Sequence, residues 1–159
     1  MMKPIDVKHI NPFLQSAISI VVQTTMMKMG VGKPVVSVLE FGNDRFILQV
    51  GVTGVLKGQV LIVMSTGSAK NLASKMMMGM PVEQLDEMAS SALCELSNMV
   101  MGNAATIFST QGIHMDITPP MAVSGDNLKM QTNVQALSIP LSYEGTEIMS
   151  LYLCVSEDA

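Results

Sequence analysis

The run Arg45-Phe46-Ile47-Leu48-Gln49-Val50-Gly51-Val52 decides the fold class together with the segment behind it. After Gly54-Val55-Leu56-Lys57-Gly58 the chain resumes as Gln59-Val60-Leu61-Ile62-Val63-Met64. Both flanks are rich in β-branched and large apolar residues, and the link between them carries two glycines. Such runs, separated by turn chemistry, read as strands of a meander.

The same pattern extends outward in both directions. Upstream, Val35-Val36-Ser37-Val38-Leu39-Glu40-Phe41 is strand-like and Gly42-Asn43-Asp44 is turn chemistry. Before it, Asn11 can cap a helix with Pro12 at the first helical position, where a missing N–H costs nothing. Phe13, Ala17, Ile20 and Val21 keep one face of that helix apolar until Gly30 and Gly32 stop it. Downstream, Ser65-Thr66-Gly67-Ser68 caps a short helix over 69–78, and Pro81 opens a long one over 82–110. Beyond Gly112 the β pattern returns over 113–123, 128–140 and 147–155, with turns at Gly125-Asp126-Asn127 and Glu144-Gly145.

The order is thus helix, three strands, short helix, long helix, three strands. It reads as a degenerate repeat. Pro34 precedes Ser37 to Gly42 and a turn, and Pro119-Pro120 precedes Met121 to Gly125 and a turn. Strands that meander after each helix predict an α+β fold. In that fold an antiparallel or mixed sheet packs against two long helices, and residues 1–159 form a single domain.

Composition narrows the function. Of 159 residues 48% are hydrophobic but only 14% charged, where about 25% is usual. Seventeen are methionine and none is tryptophan. Nine basic against 13 acidic residues leave a net charge of −4 with no basic run, which argues against nucleic-acid binding. No segment offers the roughly 20 apolar residues of a membrane span. The N-terminus lacks the pattern of a secretion signal, so a reduced, cytoplasmic setting is expected for Cys94 and Cys154. Neither these cysteines nor His9 and His114 are spaced as metal ligands. So little charge on so small a protein suggests that another chain covers part of its apolar surface.

The polar cluster with chemical character lies on the long helix, in Ser91-Ala92-Leu93-Cys94-Glu95-Leu96-Ser97-Asn98-Met99-Val100-Met101-Gly102-Asn103-Ala104. At about 100° per residue, Ser91, Glu95, Asn98 and Gly102 share one arc. Ala89, Leu93, Leu96, Val100, Ala104 and Ile107 share the opposite one, which would face the sheet. Glu95 and Asn98 are therefore neighbours on an outward stripe. Such a stripe also suits an ordinary solvated helix face. Gly102, costly in a helix interior by up to about 1 kcal/mol, would let something approach closely. The glycines at 51, 54 and 58 lack the ending of a phosphate-binding loop and read as turn residues. Met76-Met77-Met78-Gly79-Met80 reads as core filling, or as an adaptable docking surface.

This pattern resembles the CheX-type chemotaxis phosphatases, relatives of CheC and of FliY-type switch proteins. Their signature is a Ser or Asp, three residues, Glu, two residues, Asn, and a later proline. Ser91, Glu95, Asn98 and Pro119 or Pro120 match it. Ile10-Asn11-Pro12-Phe13, Phe41-Gly42-Asn43, the segment 51–58 and the segment 98–104 extend the similarity over nearly the whole chain. CheC-type members carry a second Glu-x-x-Asn on the first helix. Here Gln15-Ser16-Ala17-Ile18 stands instead, so the resemblance implies one site per chain.

The resemblance implies hydrolysis of the aspartyl phosphate of a CheY-like receiver. Asn98 would orient the attacking water and Glu95 would dock the receiver's lysine, with Ser91 and Gly102 contacting the partner. It implies no cofactor in this chain, Mg²⁺ on the receiver, and a homodimer. The competing expectation is a non-catalytic adaptor for a phosphorylated receiver or a flagellar switch component.

Overall fold

The structure is a computed structural model describing residues 5–157. Residues 1–4, on which the reading of the N-terminus partly rests, lie outside the described residues. Among the described residues, helix α1 (Val7–Thr25) precedes two sets of strands, which are separated by α2 (Thr66–Met76) and α3 (Glu87–Thr110). The first set is β1 (Gly30–Val31), β2 (Val35–Ser37), β3 (Arg45–Gly54) and β4 (Leu56–Ser65). The second is β5 (Met115–Ile117), β6 (Met121–Gly125), β7 (Ala136–Tyr143) and β8 (Thr146–Glu157).

All eight strands join one sheet, and each of its pairings is antiparallel. The order is β1-β7-β8-β4-β3-β5, with β2 also on β7 and β6 also on β3. Exchanging the first four strands for the last four reverses this order onto itself. The two long hairpins, β3–β4 and β7–β8, meet at the centre through β4 and β8. Gly58 sits at that seam with φ +141°, where a Cβ would collide with the Cys154 carbonyl oxygen. Only glycine admits so close a backbone.

Alternation along the strands sends Phe46, Leu48, Ile62, Met64, Met149 and Leu151 to the helix side, against Ala17, Val21, Leu72, Leu93 and Leu96. A second cluster beneath the other end of α1 and α3 joins Phe13, Val50, Val60, Phe108, Ile139 and Leu153. The face away from the helices is also covered. Leu39, Phe41, Leu128 and Met130, carried by residues 38–44 and 126–135, lie over Ile47, Leu61, Val63 and Cys154. Part of the apolar surplus is therefore absorbed within the chain, on a sheet buried from both sides. What stays outside is concentrated at the β1–β2 edge, where Val31, Val35, Val36 and Val38 are exposed, and at Met26, Met78, Met80, Met88 and Met121.

Several sequence expectations need correction. Each half contributes four strands, not three, because the outer one is split into two short pieces. α1 begins at Val7, with the Asp6 carboxylate accepting from the Lys8 N–H, so Asn11 and Pro12 lie inside it. Packing of Ile5, Ile10 and Phe13 with Phe108 outweighs the backbone bond that Pro12 cannot make. α1 ends at Thr25, before the glycines, with Met26 left-handed. α3 begins at Glu87, not near Pro81, because Asp86 caps it by accepting from the Ala89 N–H at 2.9 Å. The strands expected to reach Phe41 and to start at Leu128 are shorter, since those segments leave the ladder to cover the far face.

Candidate functional site

α3 owes its orientation to its apolar face. Ala89, Leu93, Leu96, Val100 and Ala104 are buried, while Ile107 is only half-buried. Below the stripe, α3 is tied to α1. The Ser16 hydroxyl donates to the Val100 carbonyl at 2.5 Å and accepts from the Asn103 carboxamide at 3.1 Å. The opposite face, with Ser91, Glu95 and Asn98, is exposed. Among the described residues no side-chain hydrogen bond or ion pair engages Glu95 or Asn98, so their polar atoms are free for a partner.

α3 lies toward the β3 end of the sheet, against β5 and β6. This brings the connection between those two strands beside the polar stripe. Ser91, Cys94, Glu95 and Asn98 form one wall of an open cleft of about 470 Å³, and Ile117, Thr118, Pro119 and Pro120 form the other. Three of the four residues singled out on the helix thus meet both prolines across one cleft. Gly102 does not line it. A Cβ there would meet nothing within 4 Å, so its surface is open one turn further along.

Cys94 and Thr118 are cleft residues that the sequence reading did not assign to the site. Cys94 is half-buried, and that burial pushes its thiol above the ordinary range, so it rests as a neutral thiol rather than a nucleophilic thiolate. Among the described residues no cluster of three or more His, Cys, Asp or Glu side chains is arranged to hold a metal ion. His9 is buried against Phe108, and His114 pairs with Asp116 at 3.1 Å on the surface. A second cleft, of about 480 Å³, opens on the far face among Gln49, Gln59, Gln131, Thr132 and Asn133. It has no carboxylate in its lining, and Gln49 already donates to Gln59. Of these two clefts, the helix-side one joins a carboxylate and a carboxamide with room in front of them. It can dock a cation and hold a water, and it offers no activated nucleophile of its own.

Comparison with known proteins shows the family. Residues 46–142 match the family described as chemotaxis phosphatase CheX. The chain is 34% identical to the CheY-P phosphatase CheX of Thermotoga maritima over 94% of its own length and 97% of that protein's. The chain belongs to the CheX family. Solved members and relatives share its fold. A CheC-like superfamily protein from Shewanella sp. PV-4 superposes with a TM-score of 0.84 at 26% identity, covering 96% of this chain and 99% of the other. A chain of the CheX–CheY–BeF3–Mg²⁺ complex from Borrelia burgdorferi superposes with a TM-score of 0.81 at 26% identity, covering 96% and 100%. The CheX match spans most of the sheet, all of α3 and both prolines of the cleft. Among the described residues no helix is long and apolar enough to cross a membrane.

Proposed function

We propose that this chain is a phosphatase for the aspartyl phosphate of a CheY-like receiver domain. The observation that carries this reading is the free Glu95–Asn98 pair on an exposed helix stripe, set across an open cleft from Pro119-Pro120. The Thermotoga maritima relative, named a CheY-P phosphatase, and the CheX–CheY complex from Borrelia burgdorferi support it. An acyl phosphate is already labile, and a receiver brings its own Mg²⁺ and lysine to the phosphoryl group. What remains is to place a water in line with the P–O bond. Asn98 takes that role, because a neutral carboxamide holds water by donor and acceptor without repelling phosphoryl oxygens. Glu95 pairs with the receiver's lysine and fixes the docking register, with Ser91 and Gly102 beside them on the stripe. The reaction needs no cofactor in this chain and takes place in the cytoplasm, where receivers are phosphorylated.

The test is phosphate release from a CheY-type receiver of the same genome, phosphorylated by a small acyl-phosphate donor. Substoichiometric amounts of this protein are expected to accelerate release over the receiver's own rate. Tight binding without acceleration would instead identify the adaptor.

The working unit in this proposal is a homodimer. Val31, Val35, Val36 and Val38 are exposed along a sheet edge, where unpaired backbone and apolar side chains favour a second copy. Size-exclusion chromatography with light scattering is expected to give about twice the 17.0 kDa chain mass. A strictly monomeric peak would leave those valines without cover and overturn the dimer.

A further inference from the structure

The wall opposite Asn98 is an irregularity of the sheet. β3 pairs with β5 through Val52 and Ile117, and with β6 through Gln49 and Met121. Between these pairings β3 has two residues, Val50 and Gly51, and the facing chain has three, Thr118, Pro119 and Pro120. One extra residue on one side is a β-bulge, a device that re-aims side chains next to working sites. Proline cannot donate to a ladder and is confined in sheets to edges and bulges, so two in succession here leave the bulge weakly held by backbone alone.

Thr118 replaces the missing backbone tie. Its N–H donates to the Gly51 carbonyl at 3.0 Å, and its Oγ1 accepts from the Gly51 N–H at 2.8 Å. The same hydroxyl faces the Pro119 carbonyl at 3.3 Å as donor. A hydroxyl thus stands where a regular antiparallel pair would put a main-chain carbonyl. Gly51 makes the approach possible. Its backbone is not left-handed, yet a Cβ would lie 3.0 Å from Thr118 Cγ2 and 3.2 Å from Oγ1. The glycine is there for the close approach of a threonine, and not for a turn.

We infer that Thr118 is a positioning residue for receiver docking: clamped on Gly51, it sets the Pro119-Pro120 wall against which the receiver is held in front of Asn98. This rests on the phosphatase reading above. Thr118 and Pro119 are exposed at the sheet edge, so the clamp serves the cleft more than the core. Glu95 and Asn98 stand on α3, across the cleft from the clamp.

Thr118→Val keeps the shape and removes the hydroxyl, leaving the Gly51 N–H without its acceptor. It is expected to raise KM for the phosphorylated receiver about tenfold with kcat within about twofold. Thr118→Ser is expected to restore KM. Gly51→Ala is expected to raise KM as well, and adding Thr118→Ser to it to recover much of the loss, because serine lacks the Cγ2 that the new methyl meets. A Thr118→Val protein with unchanged KM, or one whose melting temperature falls while KM holds, overturns the proposal alone. A wild-type protein that does not accelerate phosphate release overturns the phosphatase reading and this proposal with it.

Discussion

Asn98→Ala is expected to lower kcat for receiver dephosphorylation about a hundredfold or more, the scale seen when one positioned polar group is removed from a transition state. That corresponds to about 2.7 kcal/mol of barrier, which one oriented amide can supply when the rest of the reaction is already assembled on the receiver. Affinity for the receiver should change little, because the carboxamide handles water rather than the partner's charge. Stability gives an internal control. Asn98 is exposed, has no side-chain hydrogen bond among the described residues, and sits mid-helix, where alanine is the better helix former by a few tenths of a kcal/mol. The melting temperature should therefore hold or rise slightly. The experiment measures phosphate release at saturating receiver, binding by titration, and unfolding by circular dichroism. An unchanged kcat in a folded protein would remove Asn98 from the chemistry.

The stripe that carries Asn98 was legible in the sequence because helical periodicity is a strong local signal, whereas the role given to Asn98 is what the family resemblance implies. The buried series Ala89, Leu93, Leu96, Val100 and Ala104 fixed which way the stripe pointed without any knowledge of the sheet. The β3–β4 hairpin was legible for a similar reason, since both strands and their glycine-bearing link lie within one short stretch. The meeting of β4 with β8 at the centre was not. It joins residues about a hundred positions apart, and no local pattern encodes such a pairing. The strand boundaries failed where an apolar segment changed jobs. Val38 to Phe41 and Leu128 to Val134 carry the alternation of a strand but leave the ladder to cover the far face, and hydrophobicity alone does not separate those fates. The cleft wall fell between these cases. Two consecutive prolines marked the segment, yet residues 113–123 read as one strand, and the bulge emerged only from the register of β5 and β6 on β3. The role of Gly51 became visible only once Thr118 was seen against it, since its spacing with Gly54 suggested another turn residue.

The charge deficit of the sequence likewise divides into two parts. One was answered inside the chain, by the loops that bury the second face of the sheet. The other remains at the valine edge, and on the α3 surface next to the cleft. There Met88 stands exposed one turn before Ser91, in line with Glu95 and Asn98. A stripe that passes from methionine to serine, carboxylate and carboxamide offers a partner an apolar contact beside a polar centre. In that setting a single reversed charge should have a large effect on docking.

Glu95→Lys is therefore expected to weaken binding of the phosphorylated receiver by at least tenfold. Glu95 is exposed on α3, and the residues three and four positions away are Ala92, Asn98, Ser91 and Met99, none of them charged. The substitution breaks no helix ion pair, and lysine is as good a helix former as glutamate, so the fold should be untouched. What changes is the sign presented to the receiver's lysine. Two unit charges about 4 Å apart interact by about 1 kcal/mol in water and about 4 kcal/mol at a protein surface, and the reversal turns that attraction into repulsion. Because the contact is at the surface, the penalty should shrink as salt is raised, whereas the defect of Asn98→Ala should not depend on salt. Rates separate the two further. Glu95→Lys should raise KM and leave much of kcat once receiver is forced into saturation, the reverse of the pattern at Asn98. A titration at low salt that gives the wild-type affinity would place Glu95 outside the interface and leave the docking register to the proline wall alone.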